Sequence, residues 1–327
     1  MPSVTVLIVN YRAADYIVPT LNRLDEVRRS SSVEFDVVIV DNASGDGSVA
    51  TLRDAIGCNN RETWITLIEA ERNTGFAGGN NEGLRSIYAR EKQPDAIFFL
   101  NPDTLLAADC LEEMTRALFN DDRVGVVGAR IENEDGSERA SAFVFPSILG
   151  ELTTNAPLLS RLGFSPSYRR PSKCGAPYKV QWVSGAAFMA RREALDDVPY
   201  MDDRFFLYFE EIDFQRTISR KGWGVFHHPG AHCLHHAGVS TGIKAGRAAA
   251  RTMPPYWYES WRHYFVSNHG RIYAAGAAAL HLLAKTASKL RRKLRGETDH
   301  GGIDLVTFAR ECLIGSLTKP APHRNNP

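Results

Sequence analysis

The sequence predicts an α/β protein: a mostly parallel central sheet with helices on both faces, followed by a C-terminal helical tail. Three observations carry this. Through the first 130 residues, short β-branched runs alternate with longer helical stretches, which is the rhythm of βαβ units. Polar residues recur where strands should end, at 10–11, 41–44 and 101–103. From residue 254 onward the pattern turns helical and basic.

Element by element, residues 4–9 (VTVLIV) read as a buried strand and 16–29 as a helix. Residues 35–40 form a second strand. Ser48–Ile56 forms a second helix, entered through Asp46 and Ser48 as cap candidates. A third strand is expected at 64–68 and a third helix at 80–90, then a strand at Ala96–Leu100, a helix at 108–119 and a strand at 124–128. Residues 131–180 carry Pro146, Pro157, Pro166, Pro171 and Pro177 and read as an irregular excursion on the acceptor side. Strand character returns at 180–183 and 186–190, and helices follow at Arg192–Asp197 and 211–221. The expected division is a catalytic domain over 1–245 and a helical basic tail over 246–327.

Composition narrows the class. The 327 residues are 43% hydrophobic, enough to bury a sizeable core. The net charge of +1 hides a local imbalance: no acidic residue lies between Glu259 and Glu297, where Arg262, Arg271, Lys285, Lys289, Arg291, Arg292, Lys293 and Arg295 fall. An anionic partner is therefore expected for the tail alone, and residues 276–295 read as an amphipathic basic helix suited to an anionic membrane surface, with plain core packing as the serious alternative. Nucleic acid is not the expected partner. Five cysteines without C-x-x-C spacing argue against a disulfide framework. Residues 1–10 lack a basic leader and 274–284 are too short to span a bilayer, so a cytoplasmic protein is expected, peripheral on the inner face of the membrane.

In an open parallel sheet, ligands bind beyond the carboxyl ends of the strands. Asn10-Tyr11, Asp41-Asn42-Ala43-Ser44 and Asn101-Pro102-Asp103 all fall there. A carboxylate at Asp41 can accept from N3–H of uracil or thymine, an edge that adenine lacks. Asn73-Thr74-Gly75-Phe76-Ala77-Gly78-Gly79-Asn80 reads as a glycine loop that lets backbone approach a ligand ahead of a helix N-terminus. It matches neither the dinucleotide fingerprint nor the P-loop. Asp103 suits a hard cation, Mg²⁺ or Mn²⁺, which needs one or two carboxylates besides substrate phosphates. Glu210, Glu211 and Asp213 lie among aromatics, where one acid could act as general base. Of His227, His228, His232, His235 and His236, one completing a metal shell begun by Asp103 is the economical reading.

Seven ordered signatures, VLIVNYR, VDNASGDGS, NTGFAGGNN, FLNPD, WVSGAAFMARR, FFLYFEEIDFQR and HPGAHCLHHAGVST, resemble the family-2 inverting glycosyltransferases of GT-A fold, bacterial rhamnosyltransferase-like members in particular. The resemblance spans about residues 3–240. It implies a dTDP- or UDP-sugar donor and places Asp41 on the nucleotide base and Asp103 on the metal that grips the diphosphate. Glu211 would be the base and His235 would assist the metal or diphosphate. Trp182, Val183, Ser184, Gly185 and Ala186 would line the donor-sugar and acceptor pocket. The implied acceptor is a saccharide or polyprenyl-linked hydroxyl in cell-envelope glycan synthesis, with rhamnose from dTDP-rhamnose as the leading donor. Two departures stand out: Asn101 replaces the first acid of D-x-D, and Glu211 stands where relatives often carry Asp. A sugar nucleotidyltransferase and a non-catalytic sugar-nucleotide-binding relative are the alternatives.

Overall fold

The computed structural model describes residues 2–154, 175–236, 253–296 and 302–320. Its strands are β1 (Ser3–Asn10), β2 (Glu34–Asp41), β3 (Ile65–Glu69), β4 (Ala96–Leu100), β5 (Thr104–Leu106), β6 (Val124–Glu132), β7 (Glu138–Arg139), β8 (Ala142–Phe143), β9 (Tyr178–Val180), β10 (Trp182–Val183), β11 (Ala187–Arg191) and β12 (Gly224–His235). The first seven helices are α1 (Ala14–Ser30), α2 (Ser48–Ile56), α3 (Gly75–Tyr88), α4 (Cys110–Phe119), α5 (Ile148–Thr154), α6 (Arg192–Asp197) and α7 (Glu210–Arg220). The tail adds α8 (Pro255–His269), α9 (Arg271–Leu294), α10 (Leu305–Phe308) and α11 (Gly315–Thr318), with a π-helical stretch, Ala309–Ile314, joining the last two.

The central sheet runs β3-β2-β1-β4-β11-β6-β12-β5. Strands β3, β2, β1 and β4 are parallel, and Asn10 pairs in register with Asp41 while Ile8 pairs with Leu100. That register carries the three polar strand ends to one edge. Alternation along β1 sends Val4, Val6 and Ile8 to one face and Leu7 to the other. The first face packs under α1, α2 and α4 through Ile17, Leu21, Leu52, Met114 and Leu118. The second packs under α3, α6 and α7 through Leu84, Ile87, Leu195, Phe214 and Ile218. Helices on both faces of the sheet are thus observed.

Several details depart from expectation. Strand β11 inserts antiparallel between β4 and β6, so the parallel run stops after β4. Its five residues are all buried, a pattern that fits either strand direction. Helix α3 starts at Gly75, five residues early, because its glycines lower helix propensity while permitting close packing. Asp103 precedes a strand, β5, and not a helix. The histidine run belongs to β12, a twelve-residue strand with an irregularity between His228 and His232.

The tail is not an appendage. Trp261, Tyr264, Phe265 and Phe308 are buried in a third core that also takes in Phe205 and Ile212 from the α7 segment. A fully buried aromatic of this kind contributes about 2–3 kcal/mol. The expected domain boundary at 245/246 and much of the expected excursion lie outside the described residues. Among the described residues, no helix is long and apolar enough to cross a membrane.

Candidate active site

Begin at the ends of β1 and β2. Asn10 Nδ2 donates to Asp41 Oδ2 at 2.6 Å and to Ser44 Oγ at 3.2 Å, while Asn10 Oδ1 accepts from the Ala13 amide. Asp41 also accepts from the Ser44 amide and hydroxyl. Both side chains are buried, so this carboxylate first of all fixes the loop that starts with Ala43, whose φ is +55°. Tyr11 is half-buried beside it, with the Arg12 guanidinium 5.1 Å from its ring centroid.

Asn42 reaches across to the next loop. Its Nδ2 donates to Asn73 Oδ1 and the Gly75 carbonyl, and its Oδ1 accepts from the amide and hydroxyl of Thr74. The Gly75 amide turns back to Asn73 Oδ1. The Phe76 amide donates to the Phe206 carbonyl at 2.8 Å.

These contacts correct the reading of the glycine loop. A Cβ at Gly75 would stand 1.9 Å from the Phe206 oxygen; at Gly78 it would meet Thr74 and at Gly79 Val9, each under 3 Å. The glycines make room for neighbouring protein, and the first two amides of α3, those of Gly75 and Phe76, are satisfied by protein acceptors. Asn80 is likewise turned inward and donates to the Phe76 carbonyl of its own helix.

At the end of β4, the Asn101 amide donates to the Ala186 carbonyl at 2.9 Å. His235 Nε2 lies 3.0 Å from Asp103 Oδ1 and 3.5 Å from Asn101 Nδ2. Asp103 is buried and its backbone carbonyl accepts from the His236 amide, so β5 and β12 hold this pair together. The other histidines are engaged elsewhere. His227 is buried against Ser141, with burial pushing its ring down to about 4. His228 meets Glu113 and His236 meets Glu134, while His232 turns to the Gly230 carbonyl.

From Ala186 the path continues to the acids. Gly185 lies against Glu211: a Cβ there would come within 3.2 Å of Glu211 Cγ. Ser184 is tied to Ser141 through its amide, and its hydroxyl accepts from the Ala186 amide. Trp182 stacks on Phe143 at 4.1 Å and donates Nε1–H to the Val144 carbonyl. Asp103, His235, Asn101, Ala186, Gly185 and Glu211 thus form one contiguous wall.

Glu211 is half-buried with an Oε2 that has no partner, and burial raises its pKa to about 7. Glu210 is buried, also with an orphan Oε2; burial and the Glu211 charge push it well above the carboxylate range. Both sit in the first turn of α7, whose dipole favours negative charge, yet desolvation wins. Just before them, Tyr208 and Phe209 hold φ of +72° and +71°. Left-handed backbone at two bulky residues costs roughly 1–3 kcal/mol each and is tolerated where surroundings enforce it.

Asp213 leaves the list of bases. It accepts from Asn268 Nδ2 of α8 at 2.6 Å and lines a separate cavity of about 430 Å³ with Asn81, Arg85, Tyr200, Asp202 and Asp203.

Sequence reasoning missed Gln215. Fully buried one turn after Glu211, it donates to the Val183 carbonyl at 2.9 Å and accepts from the Val183 amide at 2.8 Å. That clamp ties α7 to the WVSG segment. A buried glutamine four residues from a candidate base was the available signal. The α8 anchors were also missed: Ser260 Oγ donates to the Leu207 carbonyl, and His263 Nε2 lies 2.9 Å from Asp202 Oδ2.

Comparison with known proteins accords with this geometry. The profile of glycosyl transferase family 2 matches residues 5–199. The chain is 28% identical over 238 residues, 69% of its length and 75% of the relative's, to an N-acetylglucosaminyl-diphospho-decaprenol L-rhamnosyltransferase of Mycobacterium tuberculosis. It is 25% identical over 221 residues to the low-salt glycan biosynthesis hexosyltransferase Agl10 of Haloferax volcanii, covering 68% of this chain and 63% of that one. Among solved structures, the mannosyltransferase PcManGT of Pyrobaculum calidifontis, in complex with GDP-Man and Mn²⁺, aligns with a TM-score of 0.54. That alignment covers 97% of this chain and 86% of the other at 17% identity, and the shared fold is GT-A. The chain belongs to glycosyl transferase family 2, and it is a glycosyltransferase.

Proposed function

We propose that this family-2 glycosyltransferase moves a sugar from a nucleotide diphosphate donor to a hydroxyl of a lipid-linked saccharide, with inversion at the anomeric carbon and Glu211 as base. One observation carries the reading: the contiguous wall from the Asp103–His235 pair through Asn101, Ala186 and Gly185 to Glu211. A diphosphate-gripping end and a proton-accepting end belong to one cleft.

Glu211 is suited to the task by its chemistry. With a pKa near 7 it is partly ionised at neutral pH and basic enough to take a proton from an attacking hydroxyl. The acceptor oxygen bonds to the anomeric carbon as the bond to the diphosphate oxygen breaks, and the hydroxyl proton passes to Glu211. A single displacement, with the acceptor hydroxyl attacking opposite the departing diphosphate, inverts the anomeric carbon and needs only this one base. Glu210 is raised by burial and by the Glu211 charge, which disfavours a second negative charge beside the base.

Among the described residues, no cluster of three or more ligating side chains exists. Asp103 and His235 form a pair at 3.0 Å, which suits a hard cation whose remaining positions go to diphosphate oxygens and water. Those two residues would hold Mg²⁺ or Mn²⁺, whose charge would neutralise the departing diphosphate. Mn²⁺ in the mannosyltransferase supports this assignment.

For the donor, similarity to an L-rhamnosyltransferase supports dTDP-rhamnose over a UDP-hexose, and the decaprenyl-diphosphate acceptor of that relative supports a polyprenyl-linked saccharide. Asp41, buried under Asn10 and Ser44, would act on the base by shaping its loop and through its remaining acceptor capacity. With such an acceptor the proposed working site is a membrane, on its cytoplasmic side. A thermal-shift panel of dTDP-rhamnose, UDP-glucose, UDP-galactose and UDP-GlcNAc, with and without Mn²⁺, tests the donor. Selective stabilisation by dTDP-rhamnose with metal is expected; stabilisation by a UDP-hexose alone would reassign it.

A further inference from the structure

Helix α9 turns the wrong face outward for a soluble protein. Its inner side is buried through Ala274, Ala277, Ala278, His281 and Ala284. On the opposite side, at successive steps of three or four residues, come Ile272, Gly276, Ala279, Leu283, Ala287, Leu290 and Leu294, of which Gly276 and Ala279 are half-buried and Gly276 lies beside Ile148 of α5. Not one is charged or polar. The four large side chains are exposed by 86%, 66%, 58% and 80% in chain order. Over 24 residues this stripe is roughly 36 Å long.

The rest of the surface sharpens the contrast. Of nine large hydrophobic side chains exposed among the described residues, only Tyr200 lies outside the tail and α5. The others are the four on α9, with Leu149 on α5 and Val306, Ile314 and Leu317 on the elements from α10 to α11, all packed against α9. Single exposed apolar residues are ordinary, whereas a continuous concentration marks an interaction surface.

Charge selects the partner. Helix α9 holds Arg271, Lys285, Lys289, Arg291, Arg292 and Lys293 and no acid. Arg291 and Lys293 flank the stripe on either side near its end, where their aliphatic stems can lie along apolar surface while the charges reach headgroups. A second copy docked on the same face would bring two acid-free cationic helices together, which repels. Nucleic acid would meet an apolar row.

We propose that the outer face of α9 docks on an anionic lipid surface, lying in the interface with Ile272, Leu283, Leu290 and Leu294 buried among acyl chains and the basic flanks at headgroup level. This supplies a membrane partner to the lipid-linked acceptor reading and rests on that reading only for its setting. Because α9 also packs on α5, the docked face is joined to the segment leading into the proline-rich stretch.

The test is flotation of the full chain with phosphatidylcholine vesicles, with and without phosphatidylglycerol, alongside light scattering for mass. Wild type should float with anionic vesicles. The double variant Leu283→Glu, Leu290→Glu should lose binding by at least about tenfold, with an unchanged circular dichroism spectrum because both side chains are exposed. The pair Arg291→Glu, Lys293→Glu should lose the preference for anionic vesicles. Absence of flotation in wild type, or equal flotation in both variants, would overturn the proposal. So would a dimer that the leucine variant dissolves, since that gives the face to a second copy. Vesicle binding needs no donor, so intact flotation with no sugar transfer would remove the proposed reaction and leave this surface standing.

Discussion

The two sides of the candidate site treat their polar groups in opposite ways. At the sheet edge, Asp41 is answered by Asn10 and Ser44, and Asn42 is answered four times by the loop it reaches. On α7, Glu210 and Glu211 each keep a buried oxygen with no partner, among aromatic side chains and behind strained backbone. A satisfied network is rigid and holds a shape; an unsatisfied acid is poised to change its protonation. On the proposed reading, one side serves recognition and the other proton transfer.

The sharpest break is Glu211→Gln. Loss of the base should lower kcat by about 10³-fold, while donor affinity, measured by calorimetry, stays near wild type. Equal losses in both would move the residue to the recognition side. Gly75→Ala strikes the seam between the two sides. A methyl at positive φ, pressed on the Phe206 carbonyl, should destabilise the protein by about 3 kcal/mol, read as a lower denaturant midpoint. A neutral result would mean that the seam is loose.

Asp103→Ala should weaken metal-dependent donor binding on the order of tenfold or more, with little change when a chelator is present. Unchanged binding in both conditions would detach Asp103 from the donor.

The pH dependence separates the two glutamates. Activity should rise with pH through about 7 as Glu211 ionises. Stability should run the other way: the folded state holds an extra proton between the ordinary value of 4.5 and about 7, so stability is lost as pH rises across that window. Glu211→Gln should flatten that slope in thermal melts. Glu210→Gln should have the smallest effect, within a few-fold of wild-type kcat, because burial and the Glu211 charge already favour the neutral form that a glutamine copies. A large loss there would exchange the roles of the two residues.

How much of this was legible beforehand depends on the residue. The parallel half of the sheet followed from buried β-branched runs, whereas Asp103, His235 and Glu211 were singled out by motif and resemblance, and the structure sets them along one wall without assigning their roles. The glycines misled, because the same lack of a side chain serves a phosphate or a neighbouring backbone, and only coordinates tell which. Asp213 misled because adjacent acids on a helix diverge, and its partner, Asn268, lies 55 residues on. Strand β11 was visible as a strand, but its direction is set by chain connection and not by composition. Core packing was an open alternative for the tail, but its partners were not legible, since the aromatic core is completed by Phe205 and Ile212, far away in sequence.

The meeting of Gly75 with the Phe206 carbonyl also constrains the history of the sequence. Two stretches separated by 131 positions share a contact that admits no side chain on one partner and uses only main chain on the other. This contact sets no demand on the side chain at position 206, which meets Tyr256 instead, whereas it excludes one at position 75. In a distant homologue too diverged to align, a glycine at that spot would signal that the same seam persists, and any other residue would signal that the two lobes have come to rest on each other differently.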